Sequence, residues 1–149
     1  MNTLTRGLAA PWGRAVRALE SLQPLALLAA RLYVAQAFFL SGLTKLRDWD
    51  ITLALFADEY QVPLLPVPVA AFAGTAGELV LPVLLALGLG GRFAAAGLSV
   101  VNVVAVISLA EIAPAALQQH QFWGSLLLAL VLWGPGRWSM DALLHKRHG

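Results

Sequence analysis

Between Val62 and Gly91 the chain carries a single charged residue, Glu78, in an otherwise apolar run. About 20 apolar residues of helix cross the hydrocarbon layer of a bilayer, so this run is long enough to span it, and Glu78 falls near its middle. A carboxylate at that depth costs about 2.5–3.5 kcal/mol on insertion scales. A chain that keeps it there gives it a partner or a use, and either way the other helices must be arranged around it.

Of the 149 residues, 59% are apolar and 12% charged. Soluble domains carry about 25% charged residues, so a polytopic membrane protein is expected, an all-α fold with length for one small bundle. Cysteine is absent, which excludes disulfides, iron–sulfur clusters and thiol relays carried by this chain. Neither G-x-x-x-x-G-K-[ST] nor G-x-G-x-x-G occurs, so nucleotide binding has no support. The net charge of +2 does not point to a nucleic-acid partner.

Residues 1–23 hold Arg6, Arg14 and Arg17, with Trp12, Ala15, Val16 and Leu19 recurring at helical spacing. That pattern suits a short amphipathic helix on anionic lipid, with a frayed tail as the alternative. Ala35-Gln36-Ala37 resembles a signal-peptidase site, but Arg31 interrupts the apolar stretch before it and Phe38-Phe39-Leu40 continues it, so no cleavage is expected there. The bundle is expected over 24–136, with spans at about 24–45, 69–89, 93–110 and 117–133. Pro24 suits a first helical turn. Between the first two spans, Asp50 is expected to cap a short helix bearing Leu53, Phe56 and Tyr60. The three prolines of 61–68 then forbid regular helix. Gly88-Leu89-Gly90-Gly91-Arg92 makes a tight turn, and Gly134-Pro135-Gly136 ends the fourth helix. Residues 137–149 form a final amphipathic tail, in which Arg137 and Asp141 are spaced to pair across one helical turn.

Four spans put both termini on one side. That side holds Arg6, Arg14, Arg17, Arg92, Arg137, Lys146 and Arg147, against Lys45 and Arg47 on the other, so the termini are expected to be cytoplasmic. Trp49, Tyr60 and Trp123 are expected in the aromatic belt of the opposite side.

Counting about 1.5 Å of rise per residue brings Glu78, Asn102 and Gln36 to similar depths, with Arg31 shallower but long enough to reach them. A buried polar cluster of Arg31, Gln36, Glu78 and Asn102 is therefore expected to line a ligand site or share the cost of desolvation. The alternatives are that Arg31 snorkels to headgroups and that Asn102 ties two helices together. Lys45, His120 and Trp123 are secondary candidates. No spacing of His and carboxylates resembles a metal motif, so no metal is expected.

Arg31, Ser41-Gly42-Leu43-Thr44-Lys45-Leu46, Gly77-Glu78-Leu79, Gly88-Leu89-Gly90-Gly91-Arg92 and Gly134-Pro135-Gly136-Arg137-Trp138-Ser139-Met140-Asp141 occur in an order that resembles the DoxX family of bacterial membrane proteins. The last block is the most specific. The resemblance implies a four-helix bundle of the bacterial inner membrane. It also implies a link to quinone-coupled oxidation of sulfur compounds or to membrane complexes that handle thiol and oxidative stress. Tyr60-Gln61-Val62-Pro63 and His120-Gln121-Phe122-Trp123-Gly124 resemble a subgroup often encoded beside genes for metal-stress peptide modification. Three functions stay open: a small membrane subunit that binds a quinone or docks a redox partner protein, a transporter or chaperone of a small solute, and a non-catalytic scaffold.

Overall fold

The computed structural model describes residues 3–148, with side-chain surroundings for 12–146. Six helices follow one another: α1 (Thr3–Arg47), α2 (Trp49–Asp58), α3 (Val67–Leu87), α4 (Gly91–Ser108), α5 (Pro114–Trp133) and α6 (Met140–His148). No strand occurs among the described residues; the one β-type contact is an isolated antiparallel bridge between Tyr60 and Leu109. Among the described residues, three helices are long and apolar enough to cross a membrane, Trp12–Arg47 within α1, α3 and α4.

Packing follows a ring. α1 lies on α3, α3 on α4, and α4 on α5, which closes back on α1. The core where they meet is Val34, Phe38, Leu85, Ala94, Ala95, Leu98, Leu127 and Leu130. Many other large apolar residues, Leu40, Val80, Val100, Ile107 and Leu132 among them, face outward. In water such a surface would aggregate; against lipid tails it is at home, and helix association then rests on close packing and polar contacts. Gly42 supplies the close approach of α1 to α3, since a side chain there would press on Leu79 and on Glu78 Cβ.

α1 continues unbroken through Pro24, where the sequence suggested a helix start. Proline leaves the Glu20 carbonyl without its helical donor; Pro24 itself is buried, but Glu20 is exposed, so solvent can meet that cost. At the other end of α1 the cap of α2 is Asp48, whose side chain accepts from Ile51 N at 3.0 Å; Asp50 lies inside the first turn instead. α2 then packs Phe56 onto Ala70 and Ala71 of α3.

The bundle has two distinct ends. One, here the terminal end, carries the α3–α4 turn, residues 134–139 and α6. The other, the loop end, carries Lys45, α2, residues 59–66 and the α4–α5 connection.

Candidate functional site

At the loop end Lys45 Nζ donates to Glu78 Oε2 at 2.5 Å, from α1 to α3, with side-chain exposures of 12% and 10%. Lys45 also donates to Ser41 Oγ at 3.0 Å. Thr52 fastens α2 beneath this pair by donating to the Lys45 carbonyl at 2.7 Å and lying within reach of the Asp48 carbonyl at 3.0 Å. The pair forms the polar wall of a cavity of about 210 Å³ whose remaining lining includes Phe56, Tyr60, Leu65, Val100, Val104 and Ser108.

The roof of this cavity is the extended segment after α2. Tyr60 bridges to Leu109, Gln61 N donates to the Ser108 carbonyl at 2.8 Å, and the Tyr60 ring stacks at a tilt on Phe56 with centroids 5.2 Å apart. Two hydroxyls here have no hydrogen-bond partner among the described residues. Ser108 is 2% exposed and its Oγ is unsatisfied; Tyr60 makes ring and backbone contacts only. Burial first, then the nearby Glu78 and Glu59 carboxylates, hold the Tyr60 phenol above its ordinary pKa. A small apolar pocket with a few convergent polar groups is the common form of a ligand site.

Arg31 does not join Glu78. It is 1% exposed at the terminal end, where its Nη2 donates to the Trp138 carbonyl at 2.6 Å. The reason is side-chain direction. Side chains lean toward the N-terminus of their own helix, so Arg31 on α1 points to the terminal end. α3 runs the opposite way, and Glu78 therefore points to the loop end. Lys45 leans inward from the last turn of α1 and meets it. Equal depth along the helix axes did not mean contact.

The same end explains Asp141. Its two carboxylate oxygens accept from Gly90 N at 2.8 Å and Gly91 N at 2.9 Å, and its own N–H donates to the Gly88 carbonyl at 3.0 Å. An anion on the exposed N–H groups of a helix start is favourable, and here it ties α6 to the head of α4. The expected Arg137–Asp141 pair does not form, because α6 begins only at Met140 and the two residues never share a helical turn.

Asn102 meets neither Glu78 nor Gln36. Its Nδ2 donates to the His120 carbonyl at 3.0 Å, and its Oδ1 lies 2.7 Å from His120 Nδ1. The carbonyl can only accept, so the amide nitrogen must face it, and His120 Nδ1 then carries the hydrogen that Oδ1 accepts. Asn102 is thus a clamp between α4 and α5. Trp123 is not a belt residue: it packs inward on Phe38 and His120 at centroid distances of 5.4 and 5.2 Å. Gln36 is exposed on the outer face of α1. The expected four-residue cluster is therefore three separate features and one outward amide.

The family model described as DoxX matches residues 26–111. The chain belongs to the DoxX family. No curated protein and no solved structure matches it. The DoxX match covers α1 from its middle, α2, α3 and α4, and so contains Lys45, Glu78, Tyr60 and Ser108, the whole polar lining of the loop-end cavity. Sequence reasoning on this DoxX chain found Glu78 and ranked Lys45 second. It did not place Tyr60 and Ser108 in the site: the sequence puts Tyr60 in the aromatic belt and in the Tyr60-Gln61-Val62-Pro63 segment, and Ser108 has no sequence signal beyond flanking a break in the helical pattern.

Proposed function

We propose that this DoxX protein is a small subunit of the bacterial inner membrane that takes the ring of a lipophilic quinone into the Lys45–Glu78 pocket, in association with a redox or stress-response partner protein. The observation that carries the reading is the pairing of an apolar cavity with unused polar groups, the Ser108 and Tyr60 hydroxyls, beside a buried ion pair. A ring carbonyl needs donors, and Lys45, Tyr60 and Ser108 offer them. Phe56 and Tyr60 supply an aromatic wall. At about 210 Å³ the space is smaller than the about 300–1,000 Å³ of pockets that enclose drug-sized ligands. One ring fits, and an attached tail must leave. Leu65 and Val100, which line the pocket, are also exposed on the outer surface, so the exit leads toward lipid. A bound quinone would supply the two-electron carrier that this cysteine-free chain lacks; the chain's own residues bind and orient it and hold a proton beside it.

In this reading α5 is the fourth span. It has 20 residues and no Asp, Glu, Lys or Arg, and buries Leu127 and Leu130 in the bundle. Both termini are then cytoplasmic, by the seven basic residues on their side against two, and the pocket opens near the outer leaflet. A reporter fused after Gly149 should be active as a cytoplasmic fluorescent protein and inactive as alkaline phosphatase.

The deciding experiment is mass spectrometry of small molecules retained by the protein in mild detergent. Wild type should carry a quinone that Glu78→Gln and Tyr60→Phe lose or weaken. A wild type that retains none from quinone-replete membranes, and shows no quinone-induced thermal shift, removes the proposal and leaves the pocket to another solute or to a scaffold role.

A further inference from the structure

Gln36 lies on the outer face of α1, about 18 Å along the helix from Pro24 and about 14 Å from Lys45 at 1.5 Å per residue. That is the middle of a hydrocarbon layer about 30 Å thick. The other polar side chains of α1 between residues 25 and 44 each have a partner within the chain, although Arg31 also keeps Nε and Nη1 buried without one. Arg31 holds the Trp138 carbonyl, Tyr33 accepts from Gln119, Ser41 accepts from Lys45, and Thr44 donates to the Leu40 carbonyl. Gln36 alone in that stretch has no partner among the described residues. It edges a shallow groove between α1 and α3, about 410 Å³, whose other lining residues, Leu32, Phe39, Pro82 and Val83 among them, are apolar.

We propose that this groove is the interface of a parallel homodimer in which Gln36 of each copy hydrogen-bonds Gln36 of the other. A carboxamide carries both donors and an acceptor. Acyl chains offer neither, whereas a second carboxamide satisfies both at once. Two copies inserted in the same direction are related by a two-fold axis along the membrane normal. Residues near such an axis meet themselves, at equal depth by symmetry. The self-complementary group thus sits where the symmetry of the membrane requires self-complementarity. Leu32 and Leu40, one turn to either side and both exposed, extend the contact along the helix. This face is separate from the mouth of the loop-end pocket at Leu65 and Val100, so pairing leaves that pocket open, and the proposal does not depend on what the pocket binds.

Because the chain has no cysteine, single cysteines report proximity cleanly. Oxidative cross-linking in native membranes should give a dimer for Gln36→Cys and little for Val103→Cys, an exposed site on α4. In liposomes, energy transfer between labelled copies should show wild-type association weakened about tenfold in Gln36→Leu, the worth of roughly one to two amide hydrogen bonds in lipid. Gln36→Asn should retain part of it. Unchanged thermal stability of the Gln36→Leu monomer would show that the loss is one of association and not of folding. Cross-linking at residue 36 no greater than at residue 103, association unmoved by Gln36→Leu, or a monomer that carries a lipid or other small molecule against Gln36 overturns the proposal.

Discussion

Lys45, in the last turn of α1, and Glu78, midway along α3, form an ion pair at 2.5 Å across the interface that Gly42 brings close. Two opposite charges taken out of water stabilise the protein only relative to either one alone. Removing the cation should therefore be the most damaging change. Lys45→Met is expected to cost about 3–5 kcal/mol because it strands the carboxylate. Glu78→Gln keeps an acceptor for Lys45 and should cost less. The double variant should be milder than the sum, with a coupling of about 0.5–3 kcal/mol. Thermal denaturation of the four proteins in one detergent measures it, and strict additivity would mean the two charges do not act as a pair.

Gly88 and Gly90 make a second, internal comparison. Both are left-handed, at φ 66° and 55°, and a side chain in that conformation costs about 1–2 kcal/mol. Their surroundings differ. Space beyond Gly90 is open, while a methyl group on Gly88 would overlap Arg31 Nη1 and Ser139 Cβ. Gly90→Ala should therefore show the backbone cost alone. Gly88→Ala should exceed it clearly, and should also loosen α6, because Arg31 holds the Trp138 carbonyl and Gly88 itself accepts from Asp141 N. Limited proteolysis of α6 alongside melting temperatures reads both effects. Equal losses in the two variants would show that Arg31 is not packed against Gly88.

The contrast between these two ends explains what could be read from the sequence. Long apolar runs, the glycine turn at 88–91 and the Gly134-Pro135-Gly136 break carry their meaning locally, and α3, α4 and α5 follow them closely. Glu78 was legible as a problem because hydropathy exposes a charge inside an apolar run. Its partner was not, because partnership depends on the direction in which each side chain leans, and that reverses between antiparallel helices. The extension of α1 through Pro24 was hidden for another reason: proline marks a first turn on average, and only the packing around it decides whether the helix also continues upstream. Tyr60 is brought beside Ser108 by its isolated bridge to Leu109 and by Gln61 N on the Ser108 carbonyl, contacts that no local pattern encodes.

Tyr60 gives a pH dependence with a definite sign. Its folded-state pKa is raised, first by burial and then by Glu78 and Glu59, above the unfolded value of about 10. The folded protein thus keeps its proton where the unfolded chain has lost it. Stability is unaffected below about pH 10 and falls as pH rises past it. Tyr60→Phe should remove that share of the alkaline loss while leaving neutral-pH stability near wild type, since the hydroxyl has no protein partner to lose. Denaturation midpoints of both proteins from about pH 9 to about pH 11 test it. Parallel curves would mean that Tyr60 ionises freely in the folded state.

Asn102 offers the most stringent test of the α4–α5 contact. Both ends of its amide are used, Nδ2 on the His120 carbonyl and Oδ1 on His120 Nδ1, and the side chain is buried. Asn102→Asp changes almost no volume but replaces a donor with an acceptor facing a carbonyl, and adds a charge. Asn102→Leu removes both hydrogen bonds but leaves no charge behind. In lipid the amide contacts are worth about 0.6–2 kcal/mol each, whereas an unpaired buried charge costs several. Asn102→Asp is therefore expected to be worse than Asn102→Leu, although it is the closer match in shape. His120→Ala keeps the backbone carbonyl that Nδ2 uses but removes the Oδ1 contact and the ring contact with Trp123; because it buries no charge, it should also be milder than Asn102→Asp. Melting temperatures in one detergent give the order. An Asn102→Asp protein as stable as wild type would mean that the amide does not face the His120 carbonyl.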